Sequence, residues 1–393
     1  MTPLSPETLQ FIREHRTDDV RKLALQAGKF PQVDMPTAIT QLAGRQTATE
    51  KIPSWAAIEG IRYPKHLSLE QCSSEITARY KARLLKGESL ADLTGGFGID
   101  CAFLAQGFQA VAYVERQEEL CRIAAHNFPL LGLNQIQVYN EDGVEYLRKM
   151  APVACLFLDP ARRNEQGGKT VAISDCEPNV AELEELLLSK ARRVMIKLSP
   201  MLDLTLALKE LPHAQEVHII SVHNECKELL ILLGSTPTAE IPVHCVNFTT
   251  QGEQTFVFSR EEERDSSCPC TDRIGQYLFE PNASLLKAGA YRLLTSRYPI
   301  QKLHPNSHLY TSDKPVEAFP GRTFRATRQG TFNKKEMKAI LGGLTQANLS
   351  VRNFPASVAE LRKRIKLGEG GSTYLFATTL NNDQKILIRC EKA

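Results

Sequence analysis

Residues 91–100 read Ala-Asp-Leu-Thr-Gly-Gly-Phe-Gly-Ile-Asp, and this block constrains the fold more than any other segment of the chain. An apolar run that ends at Leu93 predicts a buried strand, and the run from Ile99 to Gln106 predicts a helix. The glycines between them permit the tight turn that joins such a strand to such a helix. A strand–turn–helix unit lets backbone N–H groups approach a ligand at the helix N-terminus, so the block predicts an open α/β sheet with a ligand-binding edge.

Polar residues also follow three further apolar runs, which we predict to be the next strands of the same sheet. These residues are Glu115, the pair Glu141-Asp142, and Asp159, which precedes Pro160. Because the carboxyl ends of parallel strands meet at one edge of a sheet, we expect the carboxylates to face a common site. A solvated cap would explain any one of them alone, but four polar strand ends in succession favour a shared ligand.

The segment 92–98 resembles the first motif of class I S-adenosylmethionine-dependent methyltransferases. The dinucleotide pattern Gly-x-Gly-x-x-Gly/Ala is not met, because the third small residue is absent after Gly98. Asp92 would repel a pyrophosphate and suits a ligand that carries an ammonium group. The resemblance covers about residues 70–235, and it implies S-adenosyl-L-methionine as the cofactor.

This resemblance implies roles for individual positions. Asp92 would hold the methionine end of the cofactor, Glu115 its ribose hydroxyls and Asp142 its adenine. The segment 68–86 is predicted to be a helix before the first strand, and its polar residues would either contact the cofactor or cap the helix. The candidate cofactor-binding residues are Asp92, Thr94, Gly95, Gly96, Phe97, Gly98, Glu115, Arg116, Asp142, Gly143, Gln71, Ser73 and Ser74.

Three later apolar runs, at 193–198, 216–222 and 228–233, complete the predicted sheet. The resemblance implies a Rossmann-like α/β sheet of seven strands whose last two form an antiparallel edge. We predict four regions along the chain. They are a helical region (1–66), the methyltransferase domain (67–235), a mixed β/α connecting domain of ferredoxin-like or similar fold (236–320) and a small α+β module (321–393).

The last region alternates as βαβαββ and resembles the THUMP-like domain of some bacterial methyltransferases, a relative of the RNA-binding THUMP domains. Residues 321–393 carry 14 Lys/Arg against 5 Asp/Glu, whereas the whole chain has a net charge of only +3. The positively charged residues Arg362, Lys363, Arg364 and Lys366 would lie along one helix. Such a basic module indicates a polyanionic partner, although a merely soluble basic surface has the same composition.

The residues after the predicted fourth strand help to indicate which atom of the substrate receives the methyl group. Amino-methylating relatives carry Asp/Asn-Pro-Pro followed by an aromatic residue, whereas this chain has Asp159-Pro160-Ala161-Arg162. RNA C5-uridine methyltransferases have Asp-Pro-Pro-Arg, but they need a nucleophilic cysteine after the fifth strand. This chain has Lys197-Leu198-Ser199-Pro200 there, without a thiol. We therefore predict methylation of a base nitrogen, such as one of guanine, in rRNA or tRNA.

The candidate catalytic residues are Asp159, Pro160, Arg162, Arg163 and Lys197. Asp159 would accept a hydrogen bond from the target amine, and an arginine would hold the base or its phosphate. Lys197 would orient the substrate or bind phosphate, unless it is a solvated charge at a strand end. Two alternatives remain open: methylation of DNA or protein by the same core, and a non-catalytic cofactor-binding protein that interacts with RNA.

The composition argues against several other classes. No apolar run approaches the roughly 20 residues that cross a bilayer, and the N-terminus lacks the features of a signal peptide. Ten scattered cysteines are typical of the reducing cytoplasm, where we expect the protein. Cys268 and Cys270 are the one suggestive pair, but a metal site needs about four ligands. His304 and His308 lie too far along the chain to complete a motif, so we expect no metal.

Overall fold

The computed structural model describes residues 4–162 and 172–393. The chain divides into two compact units, Met1–Ala214 with Ile231–Pro237 and Gln215–Leu230 with Thr238–Ala393. Within the described residues, no helix combines the length and the apolar character that a membrane span requires.

The N-terminal region is helical and has an apolar core of its own. The side chains of Ser5, Asp19 and Asp34 accept hydrogen bonds from backbone N–H groups at the starts of three helices, as N-caps do. Phe11 and Leu42 are buried in its core. The helices are α1 (Pro6–Glu14), α2 (Val20–Leu25), α3 (Met35–Lys51) and α4 (Pro53–Ala56).

The segment before the first strand is two helices, α5 (His66–Gln71) and α6 (Glu75–Leu84), so the prediction of one helix over 68–86 is wrong. The backbone turns extended at Cys72 (φ −68°, ψ 161°). Ser74 then begins α6 by accepting the N–H of Thr77 at 3.5 Å. This N-cap interrupts the helix, and it leaves Ser73 in the extended stretch between α5 and α6.

The larger sheet has nine strands in the described part of the chain, so the prediction of seven is wrong. Next to it, β5 and β6 pair only with each other. The strands through residue 259 are β1 (Gly87–Asp92), β2 (Phe108–Glu115), β3 (Ile136–Asn140), β4 (Val153–Leu158), β5 (Ala161–Arg162), β6 (Cys176–Glu177), β7 (Ala191–Leu198), β8 (Ala214–Val222), β9 (Glu225–Gly234), β10 (Pro242–Thr249) and β11 (Gly252–Ser259).

The strand order is β11-β10-β8-β9-β7-β4-β1-β2-β3. The seven strands expected from the sequence are contiguous, and β10 and β11 extend them beyond β8. β10 pairs in parallel with β8, and β11 pairs antiparallel with β10. The alternating pattern of 239–260 predicts both strands, but it does not reveal that β10 satisfies the backbone groups of the expected edge strand.

The strands that form the ligand edge are parallel. β1 pairs with β2 and β4, β2 pairs with β3, and β4 pairs with β7. Their carboxyl ends therefore lie at the same edge, where β1 ends at Asp92 and β2 at Glu115. The connecting helices are α7 (Ile99–Ala105), α8 (Glu118–Leu130), α9 (Gly143–Lys149), α10 (Val180–Lys190) and α11 (Leu204–Glu210).

The remaining strands form a second sheet, which has seven strands among the described residues. Its strands are β12 (Tyr277–Pro281), β13 (Gln301–Lys302), β14 (Tyr310–Ser312), β15 (Gly321–Thr331), β16 (Asn348–Arg352), β17 (Thr373–Thr379) and β18 (Lys385–Lys392). Its helices are α12 (Arg260–Asp265), α13 (Ala283–Ala288), α14 (Leu293–Arg297), α15 (Lys334–Leu341) and α16 (Val358–Ile365).

This second sheet has the order β13-β14-β12-β15-β18-β17-β16. The βαβαββ prediction for residues 321–393 is confirmed by the succession β15, α15, β16, α16, β17 and β18. The apolar pattern of 285–294 predicts one helix there, but α13 ends at Ala288, because Gly289 adopts a left-handed conformation (φ +80°) that terminates it.

Candidate active site

A cavity of about 470 Å³ lies at the carboxyl ends of the parallel strands, and its volume is typical of a small-molecule site. It gathers most of the residues that the sequence singles out. From that set its lining includes Gln71, Ser73, Asp92, Thr94, Gly95, Gly96, Phe97, Gly98, Glu115, Arg116, Asp142, Gly143, Asp159 and Lys197.

Two predicted site residues, Ser74 and Pro160, are not part of this lining. Ser74 caps α6, which is the alternative that the sequence leaves open. Pro160 is buried directly after Asp159. Arg162 ends β5, and nothing beyond its backbone is described. Arg163 lies outside the described residues, so the prediction for it stays a prediction.

The glycine turn is fixed by hydrogen bonds to the end of β2. The N–H of Gly95 donates to the carbonyl of Val114 (2.9 Å), and the Tyr113 hydroxyl donates to the carbonyl of Gly96 (2.5 Å). A Cβ on Gly95 would overlap the Tyr113 ring. Gly98, at φ +89°, begins α7 in a left-handed conformation that glycine adopts without strain.

Asp92 offers an unsatisfied carboxylate oxygen to the cavity. The side chain is 1% exposed, and its Oδ1 accepts the N–H of Thr94 at 3.0 Å. Its Oδ2 has no hydrogen-bond partner among the described residues. Burial, and then the charges of Asp100 and Asp159, raise the pKa of Asp92 well above its ordinary value. An ammonium group of a ligand would satisfy this oxygen and stabilise the ionised carboxylate.

Glu115 and Asp142 contribute acceptors elsewhere in the lining. The Glu115 carboxylate accepts the N–H of Gly96 (2.9 Å) and the N–H of Gln117 (2.8 Å). Asp142 caps α9 by accepting the N–H of Val144 at 2.9 Å. Each carboxylate therefore holds the local backbone and also lines the cavity, so a capping role and a ligand role are compatible.

A network of charges surrounds Ser73 beside the cavity. Lys197 Nζ lies 2.5 Å from Asp159 Oδ2, 3.1 Å from Asp100 Oδ2 and 3.1 Å from Ser73 Oγ. Lys81, which is fully buried, lies 3.0 Å from Asp100 Oδ1 and donates to Ser73 Oγ at 2.9 Å. Both lysines are thus neutralised by aspartates, as buried charges require.

The pKa values of the two aspartates in this network are shifted in opposite directions. Burial alone would raise the pKa of Asp100, but the charges of Lys197 and Lys81 hold it below its ordinary value. Burial raises the pKa of Asp159, and the charge of Lys197 only partly opposes this effect. About a third of the Asp159 side chain (37%) remains exposed. Asp159 is therefore anchored through one oxygen and still accessible to a ligand.

Sequence reasoning missed Lys81 and did not use Asp100 as a site residue. A lysine on a helix ahead of the first strand usually predicts a solvated charge, and the charge pattern of α6 gives no other signal. Asp100 carried a usable signal, because an acidic residue directly after the glycine turn lies beside the ligand edge. The role of Asp100 becomes visible only from its contacts with Lys81 and Lys197 in the folded chain.

Replacement of Gly143 by alanine tests how tightly the lining is packed. A Cβ at this position would overlap the carbonyl oxygen of Leu93, which is backbone at the end of β1 and cannot rotate away. We expect the Gly143→Ala variant to lose about 1–3 kcal/mol of stability. It should also bind S-adenosylhomocysteine, the demethylated form of the cofactor that the sequence resemblance implies, more weakly. Thermal unfolding and calorimetric titration measure both effects.

The matched control is Gly28→Ala, because no described atom lies within 4 Å of a Cβ built there. That variant should keep the wild-type unfolding temperature and ligand affinity. Equal behaviour of the two variants would contradict the close approach of Gly143 to β1.

The sheet and the cavity at its carboxyl edge define a Rossmann-like α/β protein with a small-molecule site, and comparisons narrow the class. A family model described as a ferredoxin-like domain matches residues 277–320, and one described as THUMP domain-like matches residues 321–392. The chain is 37% identical to a proposed methyltransferase from Porphyromonas gingivalis W83 of known crystal structure. Each chain covers the other in full, with a TM-score of 0.88.

Curated relatives point to the same chemistry. The chain is 25% identical over 305 residues to uncharacterized S-adenosylmethionine-dependent methyltransferases from two strains of Mycobacterium tuberculosis, CDC 1551/Oshkosh and H37Rv. The match covers 76% of this chain and 80% of each relative. The chain belongs to the S-adenosylmethionine-dependent methyltransferase family, and its C-terminal region is THUMP-like. The resemblance seen in the sequence, and the cofactor that it implies, are confirmed.

Proposed function

We propose that this methyltransferase modifies a base nitrogen of RNA, with guanine as the expected base. The observation that carries the proposal is the placement of Asp159. Its carboxylate lies in the same cavity as Asp92, is held by Lys197 and keeps about a third of its surface exposed. A fixed, accessible carboxylate beside the cofactor site supports an acceptor that presents N–H groups.

The lining residues fit S-adenosyl-L-methionine, which supplies a methyl group on an already activated sulfonium. The unsatisfied Oδ2 of Asp92 would receive its ammonium group, and the backbone of Gly95–Gly98 would line the methionine end. Glu115 would bind the ribose, and the Asp142–Gly143 turn would lie against the adenine. With the donor activated, the chain's own contribution is mainly alignment of the acceptor nitrogen.

Asp159 would align that nitrogen by accepting its hydrogen bond. A carboxylate can accept several hydrogen bonds, so one oxygen can contact Lys197 while the group binds N–H donors of guanine. Lys197 Nζ contacts Asp159, Asp100 and Ser73, so its ammonium group is engaged within the protein. We therefore assign Lys197 to positioning Asp159 rather than to contact with the substrate.

RNA as the substrate is supported by the C-terminal module. Residues 321–392 match the THUMP-like model and carry 14 Lys/Arg against 5 Asp/Glu. Lys363, Arg364 and Lys366 are exposed at the end of α16. Arg362 differs from them, because its guanidinium donates to the carbonyl of Gly368 at 2.7 Å and ties a loop to the helix.

Neutralising these cations should weaken RNA binding in a salt-dependent way. We expect the triple variant Lys363→Gln, Arg364→Gln and Lys366→Gln to reduce the slope of log K against log salt concentration by about 2, since each phosphate contact contributes about 0.7–0.9. Fluorescence anisotropy with labelled tRNA or rRNA fragments measures the slope.

The control neutralises three exposed cations of the N-terminal region, Arg21, Lys22 and Lys29. That variant should keep the wild-type slope. If both variants lowered the slope equally, the C-terminal module would have no special part in RNA binding.

The function itself is tested by transfer of a radiolabelled methyl group to total RNA from a strain that lacks the gene. We expect labelling of this RNA, weaker labelling of wild-type RNA and none with Asp159→Ala. Mass spectrometry of digested nucleosides then identifies the base. Label in DNA or protein alone would overturn the RNA assignment. Cofactor binding without transfer to any substrate would indicate a non-catalytic binding protein.

A further inference from the structure

A cluster of one glutamate and two histidines lies across two neighbouring strands, outside the cofactor cavity. His218 of β8 is in register with His244 of β10, and the two strands are parallel. Glu216 precedes His218 by two residues, so it projects from the same face of β8. The two imidazole rings stack, with centroids 4.4 Å apart and an angle of 13° between their planes.

The spacing of these side chains matches a metal site. One ligand atom from each of Glu216, His218 and His244 lies within 4.8 Å of the other two. His218 Nε2 and Glu216 Oε2 are 3.3 Å apart. Ligands about 2.0–2.1 Å from a tetrahedral zinc ion are about 3.3 Å from each other. One pair therefore has the required separation, and the ligand nitrogen of His244 would have to move closer to this pair when the ion binds.

The burial pattern leaves such an ion a route into the site. His218 is 2% exposed and provides a fixed ligand, whereas Glu216 and His244 are only partly buried.

We propose that Glu216, His218 and His244 bind a divalent transition-metal ion, with Zn²⁺ as the natural occupant. Two imidazoles and one carboxylate form a donor set that Zn²⁺ favours, and water would complete the tetrahedron. Because the ligands come from β8 and β10, the ion would fasten the added strand β10 to the expected edge of the sheet. No sequence motif indicates this site, since 25 residues lie between His218 and His244.

The proposal is tested with tag-free, full-length protein that has been treated with chelator and dialysed. Calorimetric titration with Zn²⁺ should show one equivalent bound, and Zn²⁺ should raise the unfolding temperature, because it binds the folded state. Co²⁺ should give the visible absorption of a tetrahedral site. His244→Gln and Glu216→Gln should each lower the Zn²⁺ affinity by about tenfold or more, since even outer-shell changes cost 10–100-fold.

His213→Gln is the matched control, because His213 forms a similar pair with Glu184 (Nδ1 to Oε2, 3.1 Å) but belongs to no group of three ligand residues in the part of the chain that the structure describes. It should leave the Zn²⁺ affinity unchanged. Absence of saturable Zn²⁺ binding by the wild-type protein would overturn the proposal. Zn²⁺ binding that survives both His244→Gln and Glu216→Gln would overturn it equally. Using two partly buried positions keeps the test valid if one variant fails to fold.

Discussion

Replacing Asp159 with alanine should lower the rate of methyl transfer by about 100-fold or more while the affinity for S-adenosylhomocysteine stays within a few-fold. Alanine removes both carboxylate oxygens, so no side-chain acceptor remains for the N–H group of the nitrogen that is methylated. It also removes the ion pair between Lys197 Nζ and Asp159 Oδ2. Single-turnover assays with labelled cofactor measure the rate, and calorimetry measures the affinity.

The control for this experiment is Asp272→Asn, an exposed position in the loop before β12. It should transfer methyl groups at the wild-type rate. Lys197→Met should also slow transfer, since it removes the contact that positions Asp159, without changing the nucleoside that is methylated. Wild-type transfer by Asp159→Ala would remove Asp159 from the reaction, whereas equal losses of transfer and cofactor affinity would place it in cofactor binding.

Replacing Asp92 with asparagine should have opposite effects on ligand binding and on stability. The affinity for S-adenosylhomocysteine should fall by about 10- to 100-fold, the usual effect of losing a hydrogen bond to a charged group. The ligand-free variant should nevertheless unfold at a higher temperature than the wild type, because the substitution removes a buried charge that has an unsatisfied oxygen.

The gain in stability should depend on pH with a definite sign. Burial raises the pKa of Asp92 in the folded protein, so the folded state retains a proton that the unfolded chain releases near pH 4. The wild-type protein therefore loses stability as the pH rises from about 4 toward the raised value, and the variant does not. The difference in unfolding temperature should grow across this window and then level off.

The pH dependence of ligand affinity is a second measure of the ionisation of Asp92. In the wild type, affinity should rise with pH as Asp92 ionises, in a field set by Asp100, Asp159 and Lys197. The Asp92→Asn variant should lose this rise, whereas Asp272→Asn should keep it. An Asp92→Asn protein that binds the ligand normally, or that is less stable at every pH, would contradict the assignment of Asp92 to the ammonium group.

The ligand edge was predictable because its signals are local. Glycines that a tight turn requires, and acids at the ends of apolar runs, lie within a few residues of one another at Gly95 and Glu115. The parallel sheet then brings these local signals to one cavity. Asp142 caps α9, which is a local feature, and the sheet also brings it to the lining of the cavity.

The features that escaped prediction depend on partners distant in sequence. Lys81 can be buried because Asp100 neutralises its charge and Ser73 accepts a hydrogen bond from it. The position of Lys81 on α6 does not indicate these partners. The strand β10 joins the first sheet through backbone groups of β8, and alternating side chains carry no information about that choice. A one-residue cap, Ser74, also outweighed the helical pattern of 68–86.

A crystal structure with bound S-adenosylhomocysteine measures most directly whether the strand-end carboxylates share one cofactor. We expect the amino group of the ligand to lie within hydrogen-bond distance of Asp92 Oδ2, its ribose hydroxyls to contact Glu115, and Asp159 to face its sulfur atom. A ligand bound in another part of the chain, or bound here with its ribose at Asp92 and its amino group elsewhere, would contradict it.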